Sequence, residues 1–149
     1  MRTFLTALFI LCFSFTCACA HPLVNEAMLH LDKPYVYSTT GPDSFDCSGF
    51  TYYCVNTSYD FTIKRTACEQ GYDESYYKVN SIAQLQVGDL IFFDTKRDKD
   101  KCDHAGIYIG ENKFIHCSSA SKTVVISELR GTFYETLFSW GRRLIIKRW

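Results

Sequence analysis

Three residues of this 149-residue chain are of types that together could act as a thiol nucleophile, its base and an orienting group: Cys47, His104 and His116. Cys47 stands in Phe45-Asp46-Cys47-Ser48-Gly49-Phe50, where the turn residues Gly41-Pro42-Asp43-Ser44 give way to a helix expected from about Cys47 to Asn56. Asp46 or Ser44 could cap that helix. The partial positive charge and open N–H groups at its start would favour a thiolate and hold an oxyanion. A thiol nucleophile needs a base to take its proton, and the base needs a partner that fixes its tautomer.

His104 and His116 fit those two roles if they share a face. Ile107-Tyr108-Ile109 and Lys113-Phe114-Ile115 flank Gly110-Glu111-Asn112, the pattern of a hairpin with glycine at the bend. A three-residue loop pairs Ile109 with Lys113, sets His116 opposite Gly106 and makes His104 its diagonal neighbour on the same face. Gly106 leaves room beside them. A slip of one residue in register would put the two rings on opposite faces.

The same residue types allow other chemistry. Cys102, His104, His116 and Cys117 could hold zinc, but strand alternation turns Cys117 away from His116, and neither cysteine pair has the two-to-four-residue gap of structural zinc. Cys47 could instead be half of a disulfide. Three of the eight cysteines fall in the first twenty residues, which leaves Cys47, Cys54, Cys68, Cys102 and Cys117. Among five, one thiol stays outside any intrachain bridge, and the other four could form up to two bridges in three connectivities.

The elements that must position these residues begin after a targeting segment. Arg2, the apolar run Phe4 to Phe15 and the small residues Ala18-Cys19-Ala20 read as a secretory signal over residues 1–20. The mature product is expected from about His21, secreted to an extracellular or periplasmic, oxidising compartment. A lipid anchor through Cys19 would need a leucine-led approach that Thr16-Cys17-Ala18 lacks. No later run of eighteen apolar residues predicts a membrane span. Residues 21–149 suffice for one domain. Sixteen Lys and Arg balance sixteen Asp and Glu over the chain, which argues against a nucleic-acid partner.

Helices are expected over Asn25 to Leu31, Cys47 to Asn56 and Thr66 to Gln70. Strands follow at Asp89 to Phe93, Ala105 to Ile109, Lys113 to Cys117, Val124 to Ser127 and Arg143 to Lys147. Lys96 to Lys101 alternates in charge and reads as a solvated loop. Helices first and sheet second predict an α+β domain.

Taken in order, several segments resemble the NlpC family of cell-wall cysteine peptidases. They are Pro34-Tyr35-Val36-Tyr37, Phe45 to Phe50, Lys64-Arg65-Thr66, Val87 to Phe93, His104 to Gly110 and Phe114-Ile115-His116. The resemblance covers the chain from Pro34 onward. It implies a papain-like α+β fold, with N-terminal helices carrying the nucleophile packed on a C-terminal antiparallel sheet of about five strands. It further implies Cys47 as nucleophile, His104 as base and His116 as the third polar residue. Tyr35 corresponds to a tyrosine that helps hold the oxyanion, Asp46 and Ser48 to residues lining the substrate pocket, and Arg65 to one that positions the pocket or a substrate carboxylate. The implied substrate is a peptidoglycan stem peptide, cut after its γ-D-glutamyl residue by a monomer that needs no cofactor. The chain departs from the family pattern at Ser38 and Thr39, where two glycines are usual. An acyltransferase or amidase on the same thiol, or a disulfide-stapled binding module with Cys47 bridged, are the alternative expectations.

Overall fold

The computed structural model describes residues 21–98 and 102–145, so the expected signal segment lies outside the described residues. Three helices come first: α1 (Pro22–Met28), α2 (Cys47–Ser58) and α3 (Ala67–Tyr72). Then come β1 (Tyr77–Val79), a 3-10 turn (Ile82–Gln84), β2 (Leu90–Phe93), β3 (His104–Gly110), β4 (Lys113–Ser118), β5 (Thr123–Glu128), α4 (Phe133–Leu137) and β6 (Phe138–Arg143). The strands form one antiparallel sheet in the order β1-β6-β2-β3-β4-β5.

The α+β expectation stands, with six strands rather than five. The last strand ends at Arg143, where the sequence placed a beginning, and the tail of that expected strand, from Ile146, lies outside the described residues. Its segment, Phe138-Ser139-Trp140-Gly141, lacks the β-branched run that marks strands, and pairing with β1 and β2 makes it one. β1 escaped notice because it is a three-residue edge strand with Tyr77 exposed. The five-residue α4 was likewise not foreseen. α1 starts three residues earlier than expected because Pro22 occupies its first turn, where a missing N–H costs nothing.

All four β2 residues are buried because the sheet is covered on both faces. On one face Phe50 and Val55 of α2 and Leu23 of α1 pack on Phe92, Ile107 and Ile115. On the other, Ile91, Phe93 and Phe114 pack with Leu129 and Leu137. Burying each such side chain stabilises the fold by about 1.5–3 kcal/mol, and these two layers fix β3 and β4 against the start of α2. The β3–β4 register is the expected one through Ile107↔Ile115 and Tyr108↔Phe114, then shifts so that Gly110 pairs with Lys113. The turn is therefore two residues, Glu111 and Asn112, with φ of 49° and 63°. Positive φ at both positions matches the twist of a tight hairpin.

Candidate active site

Cys47 opens α2, and the local sequence explains why a helix starts there. The Asp46 carboxylate accepts from the Gly49 N–H at 2.6 Å, capping the first turn. Ser44 instead donates to the Thr39 hydroxyl. Gly49 is required by a crossing chain: a Cβ there would lie 2.0 Å from the Thr39 carbonyl oxygen. That same carbonyl accepts from the Asp46 N–H at 3.0 Å. Ser38, just before it, takes φ 66°, a left-handed conformation that glycine reaches without penalty. An isolated bridge between Tyr35 and Phe45 sets the tyrosine beside the helix start.

The thiol of Cys47 is free and half-buried. It donates to the Asp103 carbonyl at 3.9 Å and lies near the Ala105 N–H, so it meets β3 at the main chain on either side of His104. Cys47 is thus not bridged, contrary to what the stapled-module reading needs. Burial pushes its pKa up from 9.0, and Asp46 adds to the shift; the amides of Ala105, Ser48 and Cys47 only partly offset it. The helix start does favour the thiolate, through the Ser48 and Cys47 amides, but burial and the Asp46 charge outweigh that contribution. Loss of solvation is the larger cause, and the like charge of the capping carboxylate adds to it.

His104 and His116 share a face, as the register predicted. Their Nε2 and Nδ1 atoms are 2.7 Å apart, with the ring planes at 83°. His116 is fully buried, flanked by Phe114 and Tyr134. Gly106 makes this fit, since a Cβ there would lie 2.9 Å from the Phe114 ring and 3.2 Å from the His116 Cβ. Burial pushes both imidazoles below their ordinary 6.5, and His104 further depresses His116. The Nε2 of His116 pairs with the Ser127 hydroxyl at 3.0 Å, a partner not foreseen. The signal was present in β5: Val125 lies opposite His116, so Ser127, two residues on, reaches the same face.

Zinc does not fit this arrangement. The Cys102 sulfur contacts Cys68, the Cys117 thiol donates to the Phe45 carbonyl at 3.2 Å, and the imidazoles bond to each other. Among the described residues no group of three or more His, Cys, Asp or Glu is gathered to hold a metal.

Tyr35, Asp46, Cys47, Ser48, Arg65 and His104 all line one cleft of about 560 Å³. Burial raises the Tyr35 pKa, and Cys47 and Asp46 raise it further. Arg65 joins the helix start by a fork: its two terminal nitrogens donate to the Asp46 carboxylate at 2.6 and 3.2 Å, and Nη1 also donates to Ser48 at 3.0 Å. The hydrogen bond to Asp46 raises the Arg65 pKa. A thiol and an imidazole that line one cleft, the imidazole bonded to a second buried one, with N–H groups at a helix start, are the groups that nucleophilic acyl transfer needs.

Residues 32–143 match the NlpC/P60 family. Among curated proteins, the chain is 34% identical over 130 residues to the probable endopeptidase YafL of Escherichia coli, covering 82% of this chain and 51% of that protein. It is 33% identical to a gamma-D-glutamyl-L-lysine dipeptidyl-peptidase of Bacillus cereus, covering 85% of this chain and 37% of that one. The chain therefore spans about half, or less, of the length of these relatives. Among solved structures, NlpC2 from Trichomonas vaginalis superposes with a TM-score of 0.73 at 30% identity, covering 81% of this chain and 44% of that one.

Proposed function

The chain belongs to the NlpC/P60 family, and from that membership we propose that it is an exported cysteine peptidase that cuts peptidoglycan stem peptides between the γ-D-glutamyl residue and the diamino acid. The observation that carries this reading is that the Cys47 thiol and the His104 imidazole line one cleft, with His104 bonded to the buried His116. The bond specificity follows the named activity of the Bacillus cereus relative. Export follows the basic, apolar and small-residue pattern of residues 1–20.

In this mechanism His104 keeps its proton on Nε2, hydrogen-bonded to His116 Nδ1, and its own Nδ1 is free to act as the base. Turning the Cys47 side chain away from the Asp103 carbonyl toward that nitrogen lets the thiol give up its proton as the sulfur attacks the amide carbon. His104 then protonates the departing amine of the diamino acid. Water, deprotonated by the same nitrogen, hydrolyses the thioester and releases the glutamyl carboxylate. The Cys47 N–H and the Tyr35 hydroxyl stabilise the oxyanion in both steps, at about 3 kcal/mol per donor. Arg65, Asp46 and Ser48 form a polar wall suited to the charged and amide groups of the peptide preceding the cut.

Digestion of purified peptidoglycan with wild type and with Cys47→Ala, followed by mass identification of the fragments, tests the proposal. Wild type should expose new amines on the diamino acid and the variant none. Equal release by Cys47→Ala would reject the nucleophile. Products carrying a new acyl acceptor in place of water would make the chain a transferase.

A further inference from the structure

Two more sulfurs lie on the wall of the same cleft. Cys68 is in the first turn of α3 and Cys102 immediately precedes Asp103 and His104. Their Sγ atoms are 3.2 Å apart across 34 positions of sequence. Both are held in place by packing. Cys102 is buried, and a Cβ on Gly71 would lie 3.3 Å from its Cβ and its Sγ, so Cys102 rests directly against α3. Gly71 is three residues after Cys68, hence on the same helical face. The next residue, Asp103, is bound to the sheet through its N–H to the Phe93 carbonyl at 2.9 Å.

The remaining cysteines are placed differently. Cys54 is buried in the core with Phe50 and Val55, and the Cys117 thiol is committed to the Phe45 carbonyl. Of the connectivities that five cysteines allow, the geometry therefore favours one bridge and leaves Cys47, Cys54 and Cys117 as thiols.

We propose that Cys68 and Cys102 form a disulfide that joins the Arg65 wall of the cleft to the His104 wall. The oxidant is a low-molecular-weight disulfide of the oxidised-glutathione class. The half-buried Cys68, as its thiolate, attacks one sulfur of the oxidant and releases one thiol. Cys102 then attacks the mixed disulfide at the Cys68 sulfur and releases the second thiol. Two S–H bonds are lost and one S–S bond forms, while the oxidant disulfide is reduced to two thiols. The bond spans the two chain segments that carry Arg65 and His104, so their separation no longer depends on side-chain packing alone. It also removes Cys68 as a competing nucleophile from the cleft that Cys47 occupies.

The folded chain beginning at His21 is incubated with oxidised glutathione, its remaining thiols are alkylated in denaturant with iodoacetamide, and the product is reduced, labelled with N-ethylmaleimide and mapped by mass. The second label is expected on Cys68 and Cys102 alone, with the unreduced chain 2 Da lighter than the reduced one. Oxidation should raise Tm by on the order of 10 °C, and Cys68→Ser should abolish both the mass difference and the Tm difference. First-label alkylation of Cys68 and Cys102 after oxidation, or a bridge from either to another cysteine, would overturn the pairing. A bridged chain that melts with its reduced form would overturn the claim that the bond holds the walls together. None of these readouts depends on hydrolysis, so they stand or fall apart from the peptidase reading.

Discussion

The Nε2 of His104 and the Nδ1 of His116 are 2.7 Å apart, and His116 continues to Ser127 through its own Nε2 at 3.0 Å. One ring must donate to the other. With the proton on His104 Nε2, the Nδ1 of that ring is unprotonated and able to accept from a thiol, and in the proposed mechanism His116 is the partner that holds this tautomer. Replacing His116 by Ala should lower kcat on a γ-glutamyl peptide by roughly 10²- to 10⁴-fold, while KM changes little. His116→Asn, which keeps an acceptor near that position, should recover part of the loss. A native rate in His116→Ala would remove the residue from the mechanism.

Asp46 serves two groups at once, capping α2 through Gly49 and receiving the Arg65 fork. Asp46→Ala removes both and should destabilise the fold by about 2 kcal/mol. Asp46→Asn keeps an oxygen for the cap and should cost about half as much. Urea melts decide between these values. Equal loss in the two variants would mean that the cap contributes nothing separable from the ion pair.

The imidazoles make the fold sensitive to acid. Burial holds His104 and His116 below their ordinary 6.5, so near and below that pH an unfolded chain binds protons that the folded chain refuses. Protons taken up preferentially by the unfolded state reduce stability as pH falls. Tm should therefore drop from pH 7 to about pH 5, and His116→Asn should flatten that slope. His21, also lowered mainly by burial, leaves a residual dependence. A Tm that is level over this range, or an unchanged slope in the variant, would contradict the neutral pair. Because burial also keeps Cys47 above 9.0, thiol and base begin neutral, and kcat/KM should stay level from about pH 6.5 to 9.

Local signals carried most of the site. The Asp46 cap and the period-two alternation of β3 and β4 each depend on a few neighbouring residues, so Cys47, His104 and His116 could be placed from sequence. Features created by pairing between distant segments were less visible. β6 is a strand because β2 lies beside it, and β1 because β6 does. The Arg65 fork, the Ser127 contact and the approach of Cys68 to Cys102 all cross between elements whose relative placement no local pattern encodes. The thiol's raised pKa has the same origin, since it depends on how deeply the packed sheet shields the sulfur.

The Thr39 carbonyl fills the space above Gly49 and also receives the Asp46 N–H. The strand of chain over residues 36–45 is thereby buttoned to the helix that presents the sulfur. Attempts to retarget such a protein by transplanting that entrance loop have one immovable anchor. A graft that shifts this oxygen by even an ångström would drag the reactive atom with it, so new selectivity is better written into the outward-facing Tyr37 than into the path of the backbone.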